Sequence, residues 1–262
     1  MGDKTAPPDQ EPRHELRLLS YNVRSCRGTD QRRDPARIAE VIARHQPHVV
    51  ALQEVDVGRK RSGGVDQALA VATHLRMKSH FHPALHIAEE RYGDAVLTTL
   101  PSHLVKAQAL PSTGEPRGAI WVCVAVGDTQ VNIFNTHLGL RPRERIMQVQ
   151  TLLGPSWLGH PDAAEGPTVL MGDMNAGPSS APFKLLGRTF AEVQSEAAGR
   201  PQATFPSWFP LLRIDHIFVR GLSVDWAEVD GQGLSRRASD HLPLVASVSL
   251  PYSSKATGAS HN

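Results

Sequence analysis

Five apolar segments of this chain run directly into polar side chains at their ends. They are SYNV with Asn22, LQEV with Glu54, NTHLG with His137, GDMNA with Asp173 and Asn175, and SDHLPL with Asp240 and His241; a sixth segment, RIDHIFV, begins with Asp215 and His216. Taken singly, each residue is as well explained as a turn former or a cap. As a set they supply hard oxygen ligands and imidazoles, which suit a Mg²⁺ or Mn²⁺ ion held by few carboxylates and completed by water and substrate phosphate.

The elements that must position these residues are predicted from short apolar runs and helical stripes. Nine runs bounded by turn residues predict strands: LRLLSYNV, HVVALQEV, DAVLTTL, AIWVCVAV, VNIFNTHL, TVLMGD, IDHIFV, LSVDWAEV and LPLVASVSL. Three stripes predict helices: Ile38, Val41 and Ile42 after an Asp34 N-cap and Pro35; Leu69, Ala72 and Leu75; and Ile146, Val149, Leu152 and Leu153. Gly127 and Asp128 predict a hairpin. Many strands and few helices favour layered sheets with helices outside, and polar strand ends share a rim where such folds assemble their sites.

Composition predicts one ordered domain. The chain has 262 residues, is 40% hydrophobic, and carries 28 basic and 26 acidic side chains for a net charge of +2. This excludes a chain dominated by one charge, so attraction to a polyanion is not required. We predict a folded domain over 16–250 between flexible tails at 1–15 and 251–262. With no apolar signal-peptide core, no membrane-spanning run and only two cysteines, we predict a cytoplasmic monomer.

In order along the chain, the polar motifs resemble those of the endonuclease/exonuclease/phosphatase superfamily, which includes deoxyribonuclease-I-like nucleases, exonuclease-III-like abasic-site endonucleases, neutral sphingomyelinases and inositol phosphatases. The resemblance rests on NV at 22–23, LQE at 52–54, THL at 136–138, GDMN at 172–175, IDHI at 214–217 and SDHLP at 239–243. Six motifs in order, each at a predicted strand end, are far more specific than any one. The resemblance implies an α/β (α+β) fold, a four-layer α/β/β/α sandwich of two mixed, mainly antiparallel sheets packed face to face with helices outside.

The resemblance also implies a divalent-metal-dependent phosphoric ester hydrolase that uses Mg²⁺ or Mn²⁺. Such chemistry neutralises phosphoryl charge, positions a water and stabilises the leaving oxygen. The expected metal ligands are Asn22, Glu54 and Asp240. The expected catalytic residues are His137, Asp173, Asn175, Asp215 and His241, with Asp215 orienting the His241 imidazole. Either Asp173 or the Asp215–His241 pair activates the water, and both assignments are open at this point.

The substrate is constrained less than the chemistry. Abasic-site endonucleases carry an acidic residue at position 24, where this chain has Arg24, which argues against a two-metal or abasic-site enzyme. Arg24 and Arg117 are expected to bind substrate phosphate, and Trp208, in the apolar segment before Asp215, is expected to wall a pocket. Further arginines and a lysine on the loops at 24–33 and 59–61 line a polyanion groove or form a solvated face. We predict a phosphodiesterase acting on nucleic acid or on a lipid or small-molecule phosphodiester, with a phosphomonoesterase or a non-catalytic binding module as alternatives.

Overall fold

The computed structural model describes residues 14–87 and 90–250. Its strands are β1 (Glu15–Asn22), β2 (Val49–Val57), β3 (Lys78–Ile87), β4 (Glu90–Thr98), β5 (Ser102–Leu110), β6 (Arg117–Val126), β7 (Thr129–His137), β8 (Thr168–Asp173), β9 (Ala191–Glu192), β10 (Asp215–Arg220), β11 (Ser223–Val229) and β12 (Leu244–Ser249). Its α-helices are α1 (Pro35–Ala43), α2 (Gln67–Leu75), α3 (Pro142–Leu153), α4 (Pro161–Ala164), α5 (Ala181–Leu186), α6 (Val193–Glu196) and α7 (Ser235–Ala238). The predicted tails lie outside the described residues apart from His14 and Glu15, and Glu15 begins β1.

The strands form two six-stranded sheets. Their orders are β11-β12-β1-β2-β4-β3 and β5-β6-β7-β8-β10-β9. Each sheet has one parallel pair at its centre, β1 with β2 and β7 with β8, and its other pairings are antiparallel. Strands of a parallel pair end at the same edge of a sheet, so each pair delivers the polar residues at its carboxyl ends to one rim.

Three apolar clusters hold the layers together. The first lies between the sheets and includes Leu18, Val122 and Ile133. The second packs α1 and α2 on the outer face of the first sheet, and the third packs α3, α4 and α5 on the outer face of the second. Each fully buried aliphatic or aromatic side chain stabilises the fold by about 1.5–3 kcal/mol relative to exposure. This arrangement confirms the predicted α/β/β/α sandwich.

The strand prediction holds for all central strands and for the edge strand β11, and misses the other three edge strands. All nine predicted runs are strands, but β3, β5 and the two-residue β9 were not predicted. Each of the three is the edge strand at one end of its sheet's order. β5 is mostly exposed and β3 contains Pro83, so neither has the apolar run that marks a strand buried on both faces.

The predicted helix cap and hairpin turn are present in the structure. The Asp34 side chain accepts from the Ala36 amide at 2.9 Å and caps α1, and Gly127 and Asp128 join β6 to β7 as a two-residue hairpin. The predicted stripe of the second helix was wrong at Leu69, which is exposed because Ala68 and its neighbours face the sheet instead. Within the described residues, no helix combines the length and hydropathy needed to cross a membrane.

Candidate active site

A cavity of about 800 Å³ opens at the rim where the two parallel pairs end. Its lining includes eight of the eleven residues that the sequence predicts for the site: Arg24, Glu54, Arg117, His137, Asp173, Asn175, Asp240 and His241. Asn22 and Asp215 lie beneath the lining, 1% and 0% exposed, and hydrogen-bond to it. The structure therefore gathers ten of the eleven predicted residues, which come from both sheets, at one place.

A β-bulge presents Glu54 to this cavity. The register of β2 against β4 shifts between Leu52 and Val55, and Glu54 adopts φ +60°, a left-handed conformation that is uncommon outside glycine. Asn135 of β7 donates from its side chain to the Leu52 and Ala95 carbonyls beside the bulge, at 2.9 and 2.8 Å. A bond from one sheet therefore fixes the strained backbone of the other.

A second buried amide completes this link between the sheets. Gln53 Nε2 donates to Asn135 Oδ1 at 2.8 Å, and both side chains are fully buried. Buried polar groups are stable only when they are hydrogen-bonded, so each amide depends on the other sheet staying in register.

Asn22 connects the carboxylates of the two sheets. Its Nδ2 donates to Glu54 Oε1 and to Asp173 Oδ2, both at 3.0 Å, while its Oδ1 accepts from the Arg24 amide at 3.1 Å. The positive end of an amide dipole thus lies between two carboxylate oxygens. Hard carboxylate oxygens this close to one another, facing a cavity, are a donor set that fits Mg²⁺ or Mn²⁺.

Asp173 is held by the turn that follows β8. Gly172 has φ +146°, and a Cβ atom there would lie 1.9 Å from the Thr136 carbonyl oxygen, so β7 and β8 approach too closely for any other residue. The Asn175 amide donates to Asp173 Oδ1 at 2.9 Å. Burial, together with the neighbouring Asp215 carboxylate, raises the pKa of Asp173 to about 6. Asp173 is therefore ionised at neutral pH yet more basic than an ordinary aspartate.

Asp215 and His241 form a buried ion pair. Asp215 Oδ2 accepts from His241 Nδ1 at 2.9 Å and from the Thr204 hydroxyl. Burial acts to lower the pKa of His241, but the Asp215 and Asp173 carboxylates outweigh it and raise the pKa to about 10. The ring is an imidazolium at neutral pH, and its Nε2 lies 3.7 Å from Asp173 Oδ2. The contact places Asp215 where the motif resemblance expects it, and its orienting role stays a prediction.

His137 is the opposite case. Burial, with Arg117 and His241 nearby, holds its pKa well below its usual range, so the ring is neutral. Arg117 Nη1 lies 3.0 Å from His137 Nδ1, and Asn175 Nδ2 lies 3.0 Å from His137 Nε2, which is also 3.4 Å from Asp173 Oδ2. Both partners are donors, and a neutral ring accepts from only one of them, so these contacts hold the ring in place from both sides without fixing its tautomer. Arg117, 5% exposed, lines the cavity as expected and also pairs with Glu115 at 3.5 Å.

Two groups of side chains are candidates for holding a metal ion. One is Glu54 and Asp173, bridged by Asn22. The other is Asp173, Asp215 and His241, whose ligand atoms lie within 4.8 Å of one another. The imidazolium of His241 donates to Asp215 and has no free lone pair on Nδ1, so the second group would have to lose a proton to bind a cation. The oxygen-only group fits the predicted ion better.

Three predicted roles meet a different geometry. Arg24 Nε pairs with Asp240 Oδ2 at 3.2 Å, so a residue expected to bind phosphate and one expected to bind metal neutralise each other. Trp208 lies outside the cavity: it is 68% exposed and stacks on Phe209, because the segment turns its large side chains outward. Phe205 lines the cavity in its place, with its ring centroid 4.7 Å from that of His241.

Several lining residues carried no predicted role of their own. Tyr92 is 8% exposed, and burial raises its pKa, so it is a neutral hydrogen-bond donor. Its ring lies under Arg61, with 5.3 Å from the guanidinium carbon to the ring centroid. Arg27, Arg33 and Arg61 line the same wall, and the only sequence signal for them was a run of charge, which is more often a solvated face.

Comparison with known proteins agrees with this geometry. The family model described as "Endonuclease/Exonuclease/phosphatase family" matches residues 19–241. YbhP, an uncharacterized protein of Escherichia coli K12, is 32% identical over 167 residues, which cover 62% of this chain and 64% of YbhP.

Two solved structures share the fold. The endonuclease/exonuclease/phosphatase from Beutenbergia cavernae aligns with a TM-score of 0.74 and 22% identity, over 91% of this chain and 72% of that one. The mannosyl-6-phosphatase Bt3783 of Bacteroides thetaiotaomicron aligns with a TM-score of 0.72 and 19% identity, over 89% of this chain and 99% of that one. At such identities the two structures bear on the fold and not on the substrate.

Proposed function

This chain belongs to the endonuclease/exonuclease/phosphatase family of metal-dependent phosphoric ester hydrolases, and we propose that it is a phosphodiesterase that uses Mg²⁺ or Mn²⁺. The observation that carries the proposal is the pairing of a basic carboxylate with an acidic ring: Asp173, with a pKa of about 6, lies 3.7 Å from the imidazolium of His241. One group accepts a proton and the other donates hydrogen bonds, as hydrolysis requires.

Asp173 is the better candidate to activate the water. The pKa of His241 is about 10, so at neutral pH the ring is already protonated and cannot accept a proton from water. Asp173 is ionised at that pH and faces the cavity. His241 then directs its Nε2–H at a phosphoryl or leaving-group oxygen, and His137, held by Arg117 and Asn175, lines the cavity beside it. Asn175 supports this arrangement by donating its backbone amide to Asp173 and its side chain to the Leu138 carbonyl at 2.9 Å.

Glu54, which Asn22 links to Asp173, would hold the metal ion, and Asp240 could join it only by releasing Arg24. Asp173 would then keep its oxygens for the attacking water. A bound divalent ion supplies Lewis-acid neutralisation of phosphoryl charge. The side chains already in place supply the orientation, since each of them has a fixed hydrogen-bond partner.

A diester fits the two walls of the cavity. The loops after β1 and β2 supply arginines, and the loops of the second sheet supply Leu140, Phe205, Leu212 and Ile214. A phosphodiester carries two ester substituents and can place one of them against each wall. A phosphomonoesterase is the second candidate, since the same carboxylate and imidazolium would serve a monoester placed against the arginine wall alone.

The test compares bis(p-nitrophenyl) phosphate with p-nitrophenyl phosphate in Mg²⁺, Mn²⁺ or a chelator. We expect metal-dependent cleavage of the diester, abolished in His241→Ala and retained in Asp230→Asn, which alters a carboxylate–histidine contact elsewhere (Asp230 with His45, 3.0 Å). Preference for the monoester would support the second candidate. A folded, metal-binding protein that cleaves neither ester would contradict both and favour a binding module. Cytoplasmic location and a monomeric state stay predictions.

A further inference from the structure

Five arginine side chains line the wall of the cavity formed by the loops after β1 and β2. They are Arg24, Arg27, Arg33, Arg59 and Arg61. Three of them pair with carboxylates: Arg24 with Asp240 at 3.2 Å, Arg59 with Glu90 at 3.4 Å, and Arg61 with Asp56 at 2.7 Å. The other two are the unusual members of this wall.

Arg27 and Arg33 have no carboxylate within 4.0 Å among residues 14–87 and 90–250. The Nε atoms of both are buried without a hydrogen-bond partner in the same part of the chain. An antiparallel bridge places the two residues directly opposite each other. Like charges in that position destabilise the pair, so the fold holds two neighbouring cations without compensating them.

The electrostatics of Arg33 reflect this crowding. Burial lowers its pKa, and Arg27, Arg61 and Arg24 lower it further, against the opposing effect of Asp56. A bound anion would reduce the repulsion and accept charge-assisted hydrogen bonds from both guanidinium groups.

The wall is held in shape before any ligand arrives. Arg61 Nη2 donates to the Ser25 hydroxyl at 3.0 Å, and Gln67 Nε2 donates to the Ser25 carbonyl at 2.8 Å. Gln67 also accepts from the Asp56 amide at 2.9 Å, so the two loops are joined through buried contacts. A site that is already ordered loses less entropy when it binds.

We propose that Arg27 and Arg33 form a subsite for a second phosphate group on a small substrate, separate from the ester that is cleaved. The proposal rests on the proposed function, because the subsite opens into the same cavity as Asp173 and His241. Paired guanidinium groups match the charge of a phosphate monoester, and each planar group can donate to two of its oxygens. A cavity of about 800 Å³ suits a small molecule, and a net charge of +2 does not require a polyanionic partner.

The experiment measures inhibition of bis(p-nitrophenyl) phosphate hydrolysis by a distance series. The series runs from pyrophosphate through bisphosphates of linear diols with two to six carbons, each compared with the monophosphate of the same diol. In the wild type we expect at least one bisphosphate to inhibit roughly tenfold more strongly than its monophosphate, because only the bisphosphate can also accept charge-assisted hydrogen bonds from Arg27 and Arg33.

The variants compare this ratio and not the absolute rate. Arg27→Gln/Arg33→Gln should bring the ratio to about one, and Arg27→Lys/Arg33→Lys should restore part of it. The matched control is Arg141→Gln/Arg143→Gln, which alters two exposed arginines outside this cavity and should keep the wild-type ratio.

Equal inhibition by mono- and bisphosphates at every length, or a ratio that survives Arg27→Gln/Arg33→Gln, would overturn the proposal. So would inhibition by a single-stranded oligonucleotide that depends on Arg27 and Arg33 when no bisphosphate shows that dependence. If the wild type does not hydrolyse the diester at all, the proposed function has failed separately. The affinities for the same mono- and bisphosphates are then measured by calorimetry, and their ratio supports or overturns the subsite by the same criteria.

Discussion

The Asp215–His241 pair gives the sharpest prediction, through the variant Asp215→Asn. An amide keeps the shape of the side chain and can still accept from the Thr204 hydroxyl, but it removes the negative charge that faces His241 Nδ1 at 2.9 Å. With that charge gone, burial is opposed mainly by Asp173, so the pKa of His241 must fall.

The size of the effect follows from the ring's present pKa. A rise from 6.5 to about 10 corresponds to roughly 5 kcal/mol in favour of the imidazolium, and Asp215 is its main source. At pH 8 about 99% of the wild-type ring is protonated. If the pKa of the variant falls to 7 or below, at most about a tenth is protonated, and the loss of an oriented donor should lower kcat by roughly 10²–10⁴.

Two assays follow this change. Nitrogen-correlated NMR of the imidazole, assigned with His241→Ala, gives the pKa in both proteins, and kcat for bis(p-nitrophenyl) phosphate between pH 5 and 9 gives the activity. Asp230→Asn is the control for general loss of a carboxylate beside a histidine. Because the two side chains act as one unit, Asp215→Asn/His241→Ala should lose little more than either single variant.

Two outcomes would refute this reasoning. A pKa of His241 that stays near 10 in Asp215→Asn would mean that another group stabilises the cation. Fully additive losses in the double variant would mean that Asp215 and His241 contribute through separate steps.

Three further predictions test other parts of the site. Glu54→Gln should raise the Mg²⁺ or Mn²⁺ concentration for half-maximal activity by roughly 10–100-fold with an unchanged melting temperature, and an unchanged metal titration would remove Glu54 from the metal site. Burial, and to a smaller extent Glu54, raises the pKa of Asp94 to about 8, so in the presence of chelator the wild type loses stability as the pH rises from 4 to 8. Asp94→Asn should lack that loss and be more stable than the wild type by up to about 5 kcal/mol at pH 8. Parallel curves of stability against pH for the two proteins would contradict this. Asn135→Ala should lower the free energy of unfolding, measured in urea, by about 1–3 kcal/mol and should also reduce kcat. A loss of stability with an unchanged kcat would show that the bulge at Glu54 keeps its shape without Asn135.

Much of the fold and site could be predicted because burial leaves a pattern in the sequence. The central strands are continuous apolar runs, and each polar residue that interrupts a run at its end marks the rim, as Asn22 and Asp173 do. The edge strands β3 and β5 were missed because Pro83 interrupts the first and the second is mostly exposed, whereas LSVDWAEV identified the edge strand β11. Trp208 was misplaced for a related reason: composition places an aromatic residue near the site but does not say which way the segment turns.

The arginine wall shows why charge is harder to interpret than apolarity. Arg27 and Arg33 look like part of an ordinary solvated run until the bridge between them and the absence of a nearby carboxylate in the described residues are known. Apolar burial is additive along a strand and can be recognised locally, whereas the energy of a charge depends on partners distant in sequence, such as Asp56 for Arg61. The catalytic chemistry therefore follows from motifs, and the substrate follows from charges that only the folded chain brings together. Bisphosphate inhibition dependent on Arg27 and Arg33 would locate specificity in the single loop between β1 and α1.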